Sequence, residues 1–166
     1  MQALADARPA RPPQSSTTET PMYADAATET AANAFIAEWT SGEDATGVLP
    51  VFLALRDHLH AHEGAVVEFV SRPGVSHSLR GTYPGWAARP LAVLVDVVDD
   101  DPAARWLSVC FHDDSLTDPE ERGDWIPTGL NGNDARCFNL EDGDEDFMQY
   151  VKERISEAFA HCRANA

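Results

Sequence analysis

Lysine is almost missing from this chain: Lys152 stands alone against eleven arginines in 166 residues. Positive charge is scarce overall, with 12 Lys plus Arg against 28 Asp plus Glu and a formal net charge of −16. A surface this acidic repels phosphate, which argues against general nucleic-acid binding and against attachment to anionic membrane. No apolar run approaches the roughly 18 residues that a spanning helix requires. The opening stretch MQALADARPARPPQSS has no apolar segment of the kind a secretory signal carries. Cysteine is limited to Cys110, Cys137 and Cys162, with no C-x-x-C pair. An odd count without an export signal points to free thiols in a reducing cytoplasm. The chain has no G-x-S-x-G elbow, no G-x-G-x-x-G or phosphate loop, and no H-E-x-x-H. Low lysine with abundant alanine fits a GC-rich bacterial or archaeal genome.

At 43% hydrophobic and 24% charged residues, the composition is that of a folded protein, and the length fits one domain with a sizeable core. Residues 1–26 hold Pro9, Pro12, Pro13 and Pro21 among Ala, Ser and Thr. Such a segment buries too little apolar surface to offset its ordering entropy, so a mobile tail is expected, followed by one domain over 27–166.

Helical spacing of Phe35, Ile36 and Trp39 predicts a helix over Ala31–Thr40. A second is expected from about Gly47 to His62, capped by Asp44 or Thr46, with the stripe Val48, Phe52, Leu55 and Leu59. The period then changes to two. Strands are expected over 65–71, 75–82, 90–98, 105–111 and 135–140, with a turn at Arg72-Pro73-Gly74 and a long polar connection over 112–133. A closing helix over about 145–161 carries Phe147, Val151, Ile155, Ala158 and Phe159 inward, with Asp142 placed to cap it. Consecutive strands joined by short turns predict an α+β fold, a two-layer sandwich in the order α-α-β-β-β-β-β-α. Its sheet is five-stranded and mainly antiparallel, with helices on one face.

Alternation sorts the central strands. Leu91, Val93, Val95 and Val97 share one face with Leu107, Val109 and Phe111, which must meet the helices. The opposite face mixes Leu94 and Trp106 with Asp96, Ser108, Cys110 and His112. Three covers suit such a face: the chain's own tail, first helix or long loop; a second copy in a homodimer; or a small ligand in a groove.

Among candidate sites, His58 and His62 lie four apart on a helix and share a face, as two metal ligands would. Both also sit at a helix C-terminus, where the dipole favours histidine without any metal. His77 alternates with Ser76 and Ser78 along a strand, so neither serine can meet it within that strand, and a serine-hydrolase reading fails on that geometry. Arg80, beside Tyr83, Trp86 and Arg89, brings cations and aromatics to a loop rim suited to an anion. The same arginines could equally answer the surrounding carboxylates. Asp142-Gly143-Asp144-Glu145-Asp146 lacks the glycine of a calcium loop at its sixth position, which is Phe147.

The stretch Phe52-Leu53-Ala54-Leu55-Arg56 through Val66-Val67-Glu68, with Asp118-Pro119-Glu120, Gly129, Asp144-Glu145-Asp146, Tyr150-Val151 and Ile155-Ser156-Glu157-Ala158-Phe159, resembles the small YdhG/YjbR-like domains of unknown function. The resemblance spans about residues 48–162. It implies a compact α/β domain with a small curved sheet and carries over no catalytic residue.

Together these features point to a non-enzymatic cytoplasmic binding or interaction domain without a cofactor. It would meet a protein partner or a second copy through the mixed sheet face or the loop bearing Trp125, and neither nucleic acid nor membrane. The alternative is a small-ligand-binding protein or enzyme with a site near Arg80, Trp86, Asp96, Cys110 and His112. The acidity is uneven: residues 1–95 carry 10 acids and 6 bases, residues 96–166 carry 18 and 6. The second half therefore presents an acidic rim that favours a basic partner.

Overall fold

The computed structural model describes residues 23–166. Among these residues, three α-helices and a six-stranded antiparallel sheet build an α+β fold, with strand order β1-β2-β3-β4-β6-β5. The elements in chain order are α1 (Ala26–Ser41), α2 (Leu49–His60), β1 (Val66–Arg72), β2 (Ser76–Thr82), β3 (Leu91–Val98), β4 (Trp106–His112), β5 (Asp124–Leu130), β6 (Asn133–Leu140) and α3 (Glu145–Asn165).

Helix α1 starts five residues earlier than the apolar spacing indicates. Asp25 caps it by accepting from the Thr28 N–H at 2.7 Å. Tyr23, just upstream, is buried and forms a bridge to Val67 on the edge strand β1. Residues 23–26, expected in the mobile tail, are thus part of the ordered fold, and residues 1–22 lie outside the described part. In α2 the stripe Val48, Phe52, Leu55 and Leu59 is fully buried as its spacing requires. Asp44 serves the first turn, its carboxylate accepting from the Leu49 N–H at 3.0 Å. Thr46 instead donates to the Arg105 carbonyl at 2.5 Å and ties this connection to the start of β4. The N-cap of α3 is Asp144, which accepts from the Phe147 N–H at 3.0 Å, and not Asp142, whose carboxylate accepts from the Asp144 N–H at 2.9 Å.

One hydrophobic core joins the helices to alternate residues of the sheet. Val67, Leu79, Val93, Val95, Val97, Leu107, Val109 and Phe138 cluster with Trp39, Phe52, Leu55, Ile155 and Phe159. Helix α2 crosses the sheet closely at Gly81. A Cβ there would lie 2.8 Å from Val93 Cγ1 and 3.1 Å from Leu59 Cδ2, so only glycine lets strand and helix approach.

Two expectations about the sheet need correction. It has six strands rather than five, because Asp124–Leu130 within the supposed polar connection pairs with β6. Six of its seven residues are exposed, as befits an edge strand, so it shows no in–out alternation. The Asn131-Gly132 turn closes this hairpin with φ of 51° and 80°, the left-handed pair that a two-residue hairpin favours. The rest of the connection is ordered around Asp118. Its carboxylate accepts from the Tyr150 hydroxyl at 2.5 Å and from the Gly123 N–H at 2.9 Å. Second, Leu91 is not on the helix face. The register steps from Gly81↔Val93 to Thr82↔Leu91, leaving Ala92 as an extra residue, and this irregularity turns Leu91 to the side of Thr82 and Arg80.

Candidate functional site

The face of the sheet opposite the core carries Glu68, Arg80, Leu94, Asp96, Val98, Trp106, Ser108 and Cys110, and each is only partly buried or exposed. Cross-strand neighbours pair in register: Glu68 opposite Arg80, Arg80 opposite Leu94, Asp96 opposite Ser108, Leu94 opposite Cys110. At one end the face deepens into a groove of about 320 Å³. Arg80 and Thr82 of β2 line it with Leu91 and Leu94 of β3, Pro84 and Pro90 of the intervening connection, Glu68 of β1, and Leu130 and Asn131 of the β5–β6 hairpin. Strands β4 and β6 lie between that hairpin tip and β3 in the sheet order. The tip therefore folds back over the face, and the edge strand that alternation misses supplies one wall.

Arg80 is the group that distinguishes this groove. Its Nε is shut off from solvent and has no hydrogen-bond partner among the described residues. Its guanidinium forms no ion pair within the described residues, although Glu68 lies across the ladder. An enclosed donor without a partner costs free energy, which a bound acceptor would recover.

The other residues expected at this site lie elsewhere. Trp86 packs beneath the Arg89 guanidinium at 4.8 Å and edge-on to His161 of α3 at 5.7 Å. Arg89 itself forms a two-pronged pair with Asp114 at 2.8 and 3.0 Å, so it answers a carboxylate of the chain. Asp96 accepts a hydrogen bond from the Ser78 hydroxyl. His112 is buried, and burial, followed by the nearby charge of Arg89, pulls its pKa below the ordinary histidine value. Of Arg80, Trp86, Asp96 and His112, only Arg80 is among the residues that line this groove. Trp125 lies on strand β5 and is exposed, beside exposed Ile126.

Cys110 and Cys137 are not free thiols. They face each other across the β4–β6 ladder and form a disulfide, leaving Cys162 as a buried thiol whose pKa burial raises. Cys110 is thereby unsuited to a nucleophilic role. Part of the basis for a reducing compartment also falls away, since that expectation rested on free thiols.

His58 and His62 do meet, with Nε2 atoms 3.4 Å apart. His58 Nε2 lies 2.9 Å from the Lys152 carbonyl and 3.0 Å from Ser156 Oγ on α3. With His58 donating to that carbonyl, the pair is satisfied as a strut between α2 and α3. Burial lowers the pKa of both rings, and that of His62 reaches about 4. Among the described residues no group of three or more His, Cys, Asp or Glu side chains could hold a metal ion.

A second polar cluster occupies the helix side of the β1–β2 hairpin, where residue spacing gives no hint of it. Ser71 and His77 sit opposite each other in the ladder, and Ser71 Oγ is 2.8 Å from His77 Nδ1. His77 Nε2 is 2.7 Å from Asp99 Oδ2, and Arg105 Nε donates to Asp99 Oδ1 at 2.7 Å. His77, Asp99 and Arg105 are each only 3% exposed. Burial alone would raise the Asp99 pKa, but hydrogen bonds from Arg105, His77 and the Gly74 N–H outweigh it and hold the carboxyl below its ordinary value. The Phe35 ring stacks on His77 at 3.9 Å. These side chains line a groove of about 470 Å³ between α1 and the hairpin.

No helix among the described residues is long and apolar enough to cross a membrane. No family model, no curated protein and no solved structure matches the chain. The likeness to YdhG/YjbR-like domains therefore rests on the quoted residues alone.

Proposed function

We propose that this protein is a binding domain whose two-layer arrangement leaves one sheet face free of helices. The groove at the end of that face takes a small organic anion with an apolar body, such as a short-chain carboxylate. The observation that carries this reading is the enclosed Arg80 Nε, which lacks any partner among the described residues. A carboxylate would satisfy that donor in a charge-assisted bond, the strong class of hydrogen bond. Leu91, Leu94, Leu130, Pro84 and Pro90 supply an apolar wall for the rest of the molecule. Thr82 and Asn131 add neutral polar groups at the rim.

The net charge of −16 works against polyanions, and Glu68 adds a local negative charge, so the preferred ligand carries one negative charge. Calorimetric titration with straight-chain carboxylates of increasing length tests this. Affinity should rise with chain length until about 320 Å³ is filled. Arg80→Met should weaken binding by about 10- to 100-fold, the worth of a hydrogen bond to a charged group. Binding that is unchanged in Arg80→Met, or absent for every chain length, contradicts the proposal.

A further inference from the structure

We propose that Ser71, His77 and Asp99 form a nucleophilic relay that cleaves carboxylic esters bound in the groove between α1 and the β1–β2 hairpin. This site lies on the opposite side of the sheet from Arg80 and stands independently of the anion groove.

The geometry fixes the protons. Asp99 is held as a carboxylate by Arg105 and can only accept, so in the neutral imidazole His77 Nε2 carries the hydrogen and donates to it at 2.7 Å. His77 Nδ1 is then a bare lone pair. Ser71 Oγ, 2.8 Å away, must donate to it. That is the arrangement a serine needs to become a nucleophile: a base within hydrogen-bond reach, itself oriented by a third group. Which ring nitrogen faces the hydroxyl does not matter to the chemistry, provided the other is held by the carboxylate. Neighbouring Ser76 and Ser78 point to the other sheet face; Ser71 reaches His77 because it comes from the adjacent strand.

The surroundings fit as well. Ser71 is exposed while His77 and Asp99 are buried, so the hydroxyl is open to substrate and the base is shielded from water. Phe35 and Phe69 provide apolar surface in the groove for an acyl chain, and Arg105 is its one lining cation. Arg105 is itself paired with Asp99 at 2.7 Å and with Glu38 at 3.3 Å, so its part is to fix the orienting carboxylate.

The step balances without a cofactor. Ser71 Oγ attacks the acyl carbon as its proton passes to His77 Nδ1. The tetrahedral adduct collapses, the acyl carbon–alkoxy oxygen bond breaks, and His77 returns the proton to the departing alkoxide. Water then attacks acyl-Ser71 with His77 again as base, releasing the carboxylic acid and the original hydroxyl.

The test is to incubate the full chain with a fluorophosphonate and with p-nitrophenyl esters of two to eight acyl carbons. A phosphonyl adduct should map to Ser71 by peptide mass spectrometry. Ester turnover should fall about 100-fold or more in Ser71→Ala, the least that a positioned base and nucleophile contribute. Ser71→Ala should keep the wild-type circular dichroism at the assay temperature while melting somewhat lower, because the buried His77 Nδ1 loses its donor, so turnover is compared well below that melting point. An unmodified Ser71, an adduct on another residue, or wild-type hydrolysis by Ser71→Ala overturns the proposal.

Discussion

Breaking the Cys110–Cys137 bond should cost this fold a sizeable part of its stability. The two cysteines are 27 residues apart in sequence and directly opposed in the β4–β6 ladder. Crosslinking a loop of that length removes denatured-state entropy worth about 3.5 kcal/mol at 25 °C in the chain-entropy treatment. The folded state changes little, since Val109↔Phe138 and Leu107↔Leu140 still hold the strands in register within the core. The comparison is urea unfolding of the oxidised protein against a Cys110→Ala/Cys137→Ala double variant. With a slope of about 2 kcal/mol per molar, the midpoint should fall by about 1.5–2 M, and the slope should steepen somewhat because the uncrosslinked denatured chain exposes more surface. A companion measurement is alkylation in denaturant without reductant, which should label Cys162 alone. Labelling of all three cysteines, or a midpoint shift below about 0.3 M, would refute the reasoning.

Two further predictions follow from packing and charge. His62 should titrate near pH 4 by NMR, below the ordinary 6.5. Its depressed value means the unfolded chain binds more protons between those limits, so stability should decline as pH falls from about 6.5 towards 4, and His62→Gln should flatten that decline; a His62 midpoint at or above 6.5 would contradict the burial argument. Gly81→Ala should destabilise by about 1–3 kcal/mol through overpacking against Val93 and Leu59, and an unchanged melting temperature would count against the close approach of α2 to β2.

Much of the architecture is legible in residue spacing, for reasons that are local. The α2 stripe and the inward residues Val93, Val95 and Val97 follow from periods of 3.6 and 2, and both periods survive folding. Strand β5 escapes because an exposed edge strand has no buried face to pattern, and it also holds Pro127 and Gly129. The Asn131-Gly132 dipeptide was the available signal, since that pair marks a tight hairpin. Leu91 changes face through one extra residue, which alternation cannot anticipate. The sites are harder still. Ser71 and His77 come from two strands and Asp99 from the connection just after β3, and Cys110 meets Cys137 only once β5 and β6 are recognised as a hairpin beside β4. Such meetings depend on strand register, which no pattern within one strand contains. Arg80 was identifiable as a cation beside aromatics. Its companions were not, because Trp86 and Arg89 turn towards α3 and Asp114 while the far hairpin tip closes the groove.

The most direct test of the central claim is the Arg80 Nε–H resonance, followed by NMR as a medium-chain carboxylate such as hexanoate is added. The enclosed and unpartnered Nε–H should move downfield in a saturable manner as it gains an acceptor, together with the methyl signals of Leu91, Leu94 and Leu130. An Arg80 Nε–H that stays fixed while the ligand is in excess, or saturable shifts confined to another part of the molecule, would contradict anion binding in this groove.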